Sequence, residues 1–393
     1  MKIMMTASLD PGKETAGKTH FLSLCRCFAK SGHDVTAILP SFGDPEEDAR
    51  IPEELGINVV WTHSLTSSVH EWLLWGWIRT LVLGWQIVRL RPAMLYVRTR
   101  TSAPFFCMIA RLVSPRLRVV SGHPGWVAYQ LLACGQPRFQ QSLARWSQLM
   151  NARFSSRIRV VADGIRHALI RGGIAAEKIY VVGNGTAVQR FRPVDAQEAW
   201  KATGLDASLT HLGFAGTLEK WQGVDRMLEA AKILFRDREN LRVLVVGSGP
   251  EEESLQKKAE ELGIADRCMF VGAVPHAKMP FYINCFTIAV LFKCGLDEIA
   301  GSLYSSLKLR DYAACGVPIL ASRGAADHGI ITQGKFGMLV DPENPSEVAQ
   351  TVMRMLNDKT ALEQMGQEGR RTAEAEFAWE KIAESVLCLA LEG

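Results

Sequence analysis

Three strand-to-helix turns in the second half of the chain carry the residues best placed to do chemistry. Residues 213–224 read GFAGTLEKWQGV, residues 241–250 read LRVLVVGSGP and residues 305–320 read SSLKLRDYAACGVPIL. Gly216, Gly247 and Gly249, with Ser248 between the last two, allow a ligand close to the backbone, although tight turns alone would use the same glycines. Ser305 and Ser306 precede a helical stretch and can cap it. Leu307 and Lys308 fall in its first turn, where N–H dipoles and a cation favour a phosphate. Turns of this kind above a parallel sheet converge on one crevice, so the expectation is a nucleoside diphosphate.

A second phosphate signal lies near the start. Residues 12–19, GKETAGKT, match G-x-x-x-x-G-K-[ST] and follow an apolar strand. In a P-loop NTPase Lys18 would reach the β/γ-phosphates and Thr19 would hold magnesium. No apolar strand here ends in the Asp that such an enzyme needs for its metal, so this reading stays as an alternative.

These residues need strands and helices to hold them, and the pattern supplies both. Apolar runs KIMMTAS, DVTAILP, NVVWTH, AMLYVRT, LRVVSGH and IRVVADG read as strands in the first half. THLGFAG, LRVLVVG, CMFVGAV, FTIAVLF, VPILAS and GMLV do so in the second. Segments with apolar residues every three to four positions separate them, among them THFLSLCRCFAKSGH, GVDRMLEAAKILFRD and EEESLQKKAEEL. Such alternation predicts α/β architecture with two doubly wound parallel sheets. The length of 393 residues suits two domains, and the boundary is expected near residues 184–197. The nine cysteines form no CxxC pair and no cluster with zinc spacing, which predicts free thiols in a reducing cytoplasm. MKIMMTASLD has too short an apolar run for a signal peptide and reads as a first buried strand.

Charge is unevenly distributed. Residues 1–195 carry 24 Lys/Arg against 13 Asp/Glu, whereas residues 196–393 carry 21 against 28. Within residues 98–171 twelve arginines face one acid, Asp163. A solvated basic face and a surface for an anionic partner both fit; nucleic acid fits least, since no recognition motif accompanies the charge. Residues 69–90, VHEWLLWGWIRTLVLGWQIVRL, read as a tryptophan-rich helix. Its apolar stretch is interrupted by Arg79, which argues against a bilayer span and leaves an interfacial anchor or a helix buried on a sheet.

The ordered set of motifs resembles the nucleotide-sugar glycosyltransferases of the GT-B fold, retaining branch (family 4-like, group 1). The resemblance covers nearly the whole chain: AGKTH…SGHDVTAILP, VVGNGTAVQRFRP with Gly183 where proline is usual, GTLEKWQGVDRMLEA, VVGSGPE, FVGAVPHAKMPFY, SSLKLRDYAACGVPILAS and FAWEKIAESVLCLAL. It implies two Rossmann-like domains facing each other across a cleft. Residues 1–190 would bind the acceptor and residues 191–372 the nucleotide sugar, while residues 373–393 would form a helix crossing back to the first domain.

It also implies site roles. Gly17 would lie on a loop facing the ligands, and His123 at a strand tip would face the transferred sugar, where an ordinary loop histidine is the alternative. Asp311 would accept from ribose hydroxyls. Leu303 stands where the family has its other glutamate, leaving Asp297 or Glu298 on the adjoining loop as available acids. Thr217 and Gln222 stand where the family has the Arg and Lys that clamp the diphosphate, leaving Lys220 and Lys308 as nearby cations. No DxD metal motif occurs in the chain, so no metal and no cofactor are expected beyond the UDP- or GDP-sugar itself. The implied activity is transfer with retention to a glycan or lipid-linked acceptor in cell-surface polysaccharide or glycolipid synthesis. The expected location is cytoplasmic, with peripheral contact to the anionic inner face of the plasma membrane through the basic first domain and helix 69–90. A degenerate member that binds without turnover, and the P-loop NTPase, remain the alternatives, and a GT-B epimerase or phosphorylase would share the fold.

Overall fold

The computed structural model describes residues 1–7, 16–41, 43–62, 69–99, 105–133, 136–295, 303, 305–324 and 328–392. The chain divides into two units: residues 1–184, 302–305 and 379–393 form one, and residues 185–301 and 306–378 the other.

The first unit is built on strands β1 (Lys2–Ala7), β2 (Asp34–Pro40), β3 (Asn58–Thr62), β4 (Met94–Arg98), β5 (Arg118–His123), β6 (Arg157–Val160) and β7 (Ile179–Val181). They lie in the order β3-β2-β1-β4-β5-β6-β7, with parallel pairing throughout. Helices cover both faces of such a sheet, so its strands read as nearly unbroken apolar runs, as in β4, where Met94, Leu95, Tyr96 and Val97 are all fully buried. Strand order reverses between β1 and β4, and ligand crevices form outside the carboxyl ends of strands at such a reversal.

One expectation is corrected in this unit, and one strand is added. The run IRVVADG stops being a strand at Val160, because Ala162 takes extended N-cap geometry for the helix Asp163–Arg171. Strand β7 was not read from the sequence; its three residues are too few to carry a period. Helix Trp379–Leu391 completes the unit, burying Ile382, Ala383, Val386 and Leu389, and packs on helix Ala16–Lys30 and on β5 and β6.

The second unit holds β8 (Thr210–Ala215), β9 (Leu241–Val246), β10 (Cys268–Gly272), β11 (Ile288–Leu291), β12 (Ile319–Ser322) and β13 (Gly337–Val340), all parallel in the order β10-β9-β8-β11-β12-β13. Alternate residues feed opposite faces. Leu212, Phe214, Val243, Val245, Ile288 and Val290 pack under helices Val224–Leu234 and Pro345–Asn357. Ala215, Leu244, Val246, Ala289 and Leu291 pack under helix Leu307–Ala314. Here the strand order reverses between β8 and β11.

Candidate functional site

In the second unit, the residues flanking the β8/β11 reversal form one constellation. Gly216 follows β8 at φ +149 and Gly247 follows β9 at φ +131, a backbone region that side chains rarely adopt. The turns are laced together: the Gly216 N–H donates to Val246 O at 2.9 Å, and the Leu218 N–H donates to Ser248 O at 3.0 Å. No side chain would fit between them. A Cβ on Gly247 would stand 2.0 Å from Gly216 O, and one on Gly249 would stand 2.4 Å from Leu218 O. These glycines therefore serve close packing of turn on turn as well as any approach of a ligand.

Helix Leu307–Ala314 is pinned to the same spot by Tyr312, whose hydroxyl accepts from Ala215 N at 2.8 Å and donates to Ala215 O at 3.2 Å. Lys308 lies one turn earlier on the same helix face and so reaches Gly216, where a Cβ would meet its Cδ at 2.8 Å. Its Nζ donates to Gln222 Oε1 at 2.5 Å and stands 4.2 Å from the centroid of the buried Phe214 ring. Burial, and then the neighbouring Lys293 charge, hold the Lys308 ammonium well below the ordinary lysine range. Lys293 follows β11 across the reversal, with its Nζ 3.9 Å from the Trp221 ring centroid and its backbone N–H donating to Ser322 Oγ at 2.8 Å. Lys308 and Lys293 thus flank the turn where strand order reverses.

Asp311 stands on the next turn of the helix. Its Oδ1 accepts from Thr186 Oγ1 at 2.6 Å. Burial pushes its carboxyl up to about 7, against the opposing pull of the Thr186 hydroxyl and of Arg310. Ser306 occupies the N-cap position, but its side chain makes no capping bond, contrary to the expectation; its carbonyl instead accepts from Arg310 Nη1 at 2.7 Å. Ser305 groups with the first unit, where its carbonyl accepts from Asn184 Nδ2 at 3.2 Å, and Leu303 is buried. Leu307 opens the helix and is partly buried. Thr217 and Ser248 are exposed. Lys220 is exposed on the turn Lys220–Gln222 and lines a groove with Asp225, Glu251 and Lys258. Asp297 and Glu298 lie outside the described residues.

The first unit presents a different chemistry at its strand tips. His123 ends β5 and is buried, its Nε2 3.1 Å from Ser121 Oγ; its Nδ1 has no hydrogen-bond partner among the described residues. Burial pushes its pKa down to about 3, so the ring is neutral near pH 7. Gly17 lies in the first turn of helix Ala16–Lys30, not on a loop as expected, and a Cβ there would meet Arg98 Nη2 at 2.5 Å. Of the P-loop match, residues 12–15 lie outside the described residues, Lys18 is buried and Thr19 is exposed.

Sequence reasoning missed the buried Arg159 altogether. Its Nε donates to Val182 O at 3.0 Å, its Nη2 to Gly183 O, and its Nη1 to His20 Nε2 at 2.7 Å and Tyr96 Oη at 3.2 Å. Because His20 Nε2 must accept, the neutral ring carries its proton on Nδ1; burial, then Arg159 and Arg98, hold its pKa well below the usual value. Lys293 was missed as well, because its place at the reversal follows from strand order, which no local pattern encodes. Among the described residues no cluster of His, Cys, Asp and Glu could hold a metal ion.

Residues 17–190 match the family described as Glycosyltransferase Family 4, and residues 196–372 match Glycosyl transferases group 1. The D-inositol 3-phosphate glycosyltransferase of Segniliparus rotundus is 29% identical over 218 residues, 54% of this chain and 46% of that protein. The GDP-mannose-dependent alpha-(1-6)-phosphatidylinositol monomannoside mannosyltransferase of Mycobacterium tuberculosis is 26% identical over 204 residues, 51% of this chain and 52% of that one. The chain spans about half the length of the curated relatives it matches. The crystal structure of Anabaena Alr3699/HepE in complex with UDP superposes with a TM-score of 0.78 at 16% identity, covering 100% of both chains. This likeness establishes the GT-B fold. The chain belongs to the GT-B glycosyltransferases, its first half family 4-like and its second half of group 1.

Proposed function

We propose that the chain moves a sugar from a UDP- or GDP-sugar to a glycan or lipid-linked acceptor with retention of the anomeric configuration, in cell-surface polysaccharide or glycolipid synthesis. One observation carries the reading: Lys308 is held by Gln222 and Phe214 over the Gly216 turn, at the reversal of strand order in the second unit. UDP in the similar HepE structure and GDP-mannose in the name of the mycobacterial relative support a nucleoside-diphosphate donor.

During transfer the bond from the sugar C1 to its phosphate oxygen breaks, an acceptor hydroxyl oxygen bonds to C1, and the hydroxyl proton passes to the departing phosphate oxygen. The nucleoside diphosphate leaves as an anion that Lys308, Lys293 and the start of helix Leu307–Ala314 compensate. No metal is needed in this scheme. Asp311 accepts from the ribose, the backbone at Gly216, Thr217, Gly247, Ser248 and Gly249 surrounds the diphosphate, and neutral His123 offers a hydrogen bond to the transferred sugar, with Asp297 and Glu298 as its acids. The largely buried, scattered cysteines suit a reducing cytoplasm.

Titration of the full chain with UDP, GDP and ATP, each with and without magnesium, followed by NMR of the product's anomeric carbon, tests this. Binding of UDP or GDP without magnesium and a product of unchanged configuration are expected. Binding without turnover would assign a degenerate member, and magnesium-dependent binding of ATP alone would move the site to residues 12–19.

A further inference from the structure

Among the described side chains of the tryptophan-rich helix, residues 76–90, two faces are apolar and one of them packs inside the protein. Leu83 and Ile87 are buried with Met4, Leu95, Val97 and Phe106. On the opposite side Trp77, Leu81, Trp85 and Val88 are 52%, 67%, 59% and 62% exposed. Their spacing of four, four and three residues puts them in one stripe along the helix. The stripe is not isolated. Trp77 stacks on Phe105 at 4.6 Å, and Phe105 meets the exposed Trp146 edge-on at 5.5 Å. Gly84 lets helix Phe106–Val113 approach, where a Cβ would stand 3.3 Å from Ile109, and that helix adds Leu112, 68% exposed, and Val113. So many large apolar side chains in one surface mark a contact face, since single exposed ones would need no explanation.

Charge identifies what the face contacts. Residues 72–162 contain thirteen arginines, no lysine and no acid. Arg89 lies over the Trp85 ring at 5.3 Å. Beside Leu112 and Val113, at the end of the sheet opposite His123, Arg111, Arg116, Arg118 and Arg157 line a pocket of about 260 Å³ that contains one acid, Glu392. Arg111 donates to the carbonyls of Pro115 and Leu117, and Arg157 to those of Ser156 and Glu392. Neutral carbonyls orient these guanidinium groups without cancelling their charge. A second copy of the chain on this face would set arginine against arginine. An anionic phospholipid bilayer instead offers acyl chains to the stripe, the interfacial zone to the tryptophans and phosphates to the arginines. No described helix is long and apolar enough to cross a membrane, so the contact is peripheral.

We infer that the exposed Trp77–Leu81–Trp85–Val88 stripe, with Leu112 and Val113, docks on an anionic phospholipid surface whose phosphates meet the arginine pocket. The inference does not depend on the donor or acceptor proposed above.

Sedimentation of the full chain with vesicles of phosphatidylcholine alone, or of equal parts phosphatidylcholine and phosphatidylglycerol, tests it. Binding to the mixed vesicles, a blue shift of tryptophan emission and release by high salt are expected. The double variants Leu81→Ser/Trp85→Ser and Arg111→Gln/Arg116→Gln should each weaken binding by about tenfold or more, with melting temperature and UDP affinity unchanged. Absence of binding to the mixed vesicles, or binding undiminished in Leu81→Ser/Trp85→Ser, overturns the inference. A dimer in solution that this variant dissociates would assign the stripe to a second copy and overturn it equally.

Discussion

The two units differ in how most of their cations are partnered, although the first also holds the Arg50–Glu54 and Lys381–Glu384 pairs and in the second Arg242, Arg267 and Arg370 donate to carbonyls. In the second, cations are matched to carboxylates: Arg226 with Glu229 and Glu343, Lys258 with Glu229, Arg323 with Glu347, Arg371 with Glu368. In the first, Arg111, Arg157 and Arg159 donate to carbonyls and keep their full charge. Exposed ion pairs contribute little to stability but neutralise a surface. Residues 196–393, which hold Lys293 and Lys308, carry 21 Lys/Arg against 28 Asp/Glu, whereas the first unit has an arginine field broad enough to meet an extended anion.

Substitutions that separate the two kinds of cation should show this contrast most clearly. The largest effect is expected at Arg159, where Met would strand the Val182 and Gly183 carbonyls and His20; we expect a loss of about 3 kcal/mol in urea unfolding of the first unit. Next is Lys308→Met, expected to weaken UDP binding at least about tenfold in calorimetry while leaving the melting temperature nearly unchanged. UDP affinity of the unaltered chain should fall as pH rises, at a pH below the ordinary lysine range. Lys308 has a lowered pKa and must hold its proton to pair with phosphate, so calorimetry in buffers of different ionisation enthalpy should show proton uptake on binding.

A smaller effect concerns Asp311. Its carboxyl, raised to about 7 by burial, binds a proton in the folded state that the unfolded chain releases near pH 4. Its contribution to stability is complete below about pH 4 and is lost as pH rises to about 7. Asp311→Asn should flatten that slope by up to about 1 kcal/mol per pH unit. The smallest effect is expected for Arg323→Ala, less than about 1 kcal/mol, because its pair with Glu347 is exposed. A loss as large as that at Arg159 would dissolve the distinction between the units.

Much of this was legible in the residues. Parallel strands buried on both faces appear as apolar runs, which is why LRVLVV and MLYVR read as strands from the residues alone. The glycine turns and Lys308 were legible as chemistry because their types and spacing suit a phosphate. Other features were not. The two faces of helix 69–90 could not be separated, since it is apolar nearly all round and period alone does not say which side meets the sheet. The pairing of Lys308 with Gln222 depends on residues 86 positions apart, and the Lys293 site on an order of strands that local pattern does not contain. Ser306 misled because an N-cap residue type does not guarantee a capping bond.

Helix Trp379–Leu391 also bears on how the protein is born. Its residues fill the first unit, Trp379 against His20 at 5.0 Å and Arg157 donating to Glu392 O at 2.6 Å, yet they are translated after the whole of the second unit. On the ribosome the second unit can therefore reach its final form while the first still shows the apolar ground that Ile382, Val386 and Leu389 will cover. The part made first is finished last. During that interval the nascent chain exposes an apolar seam that the finished protein hides.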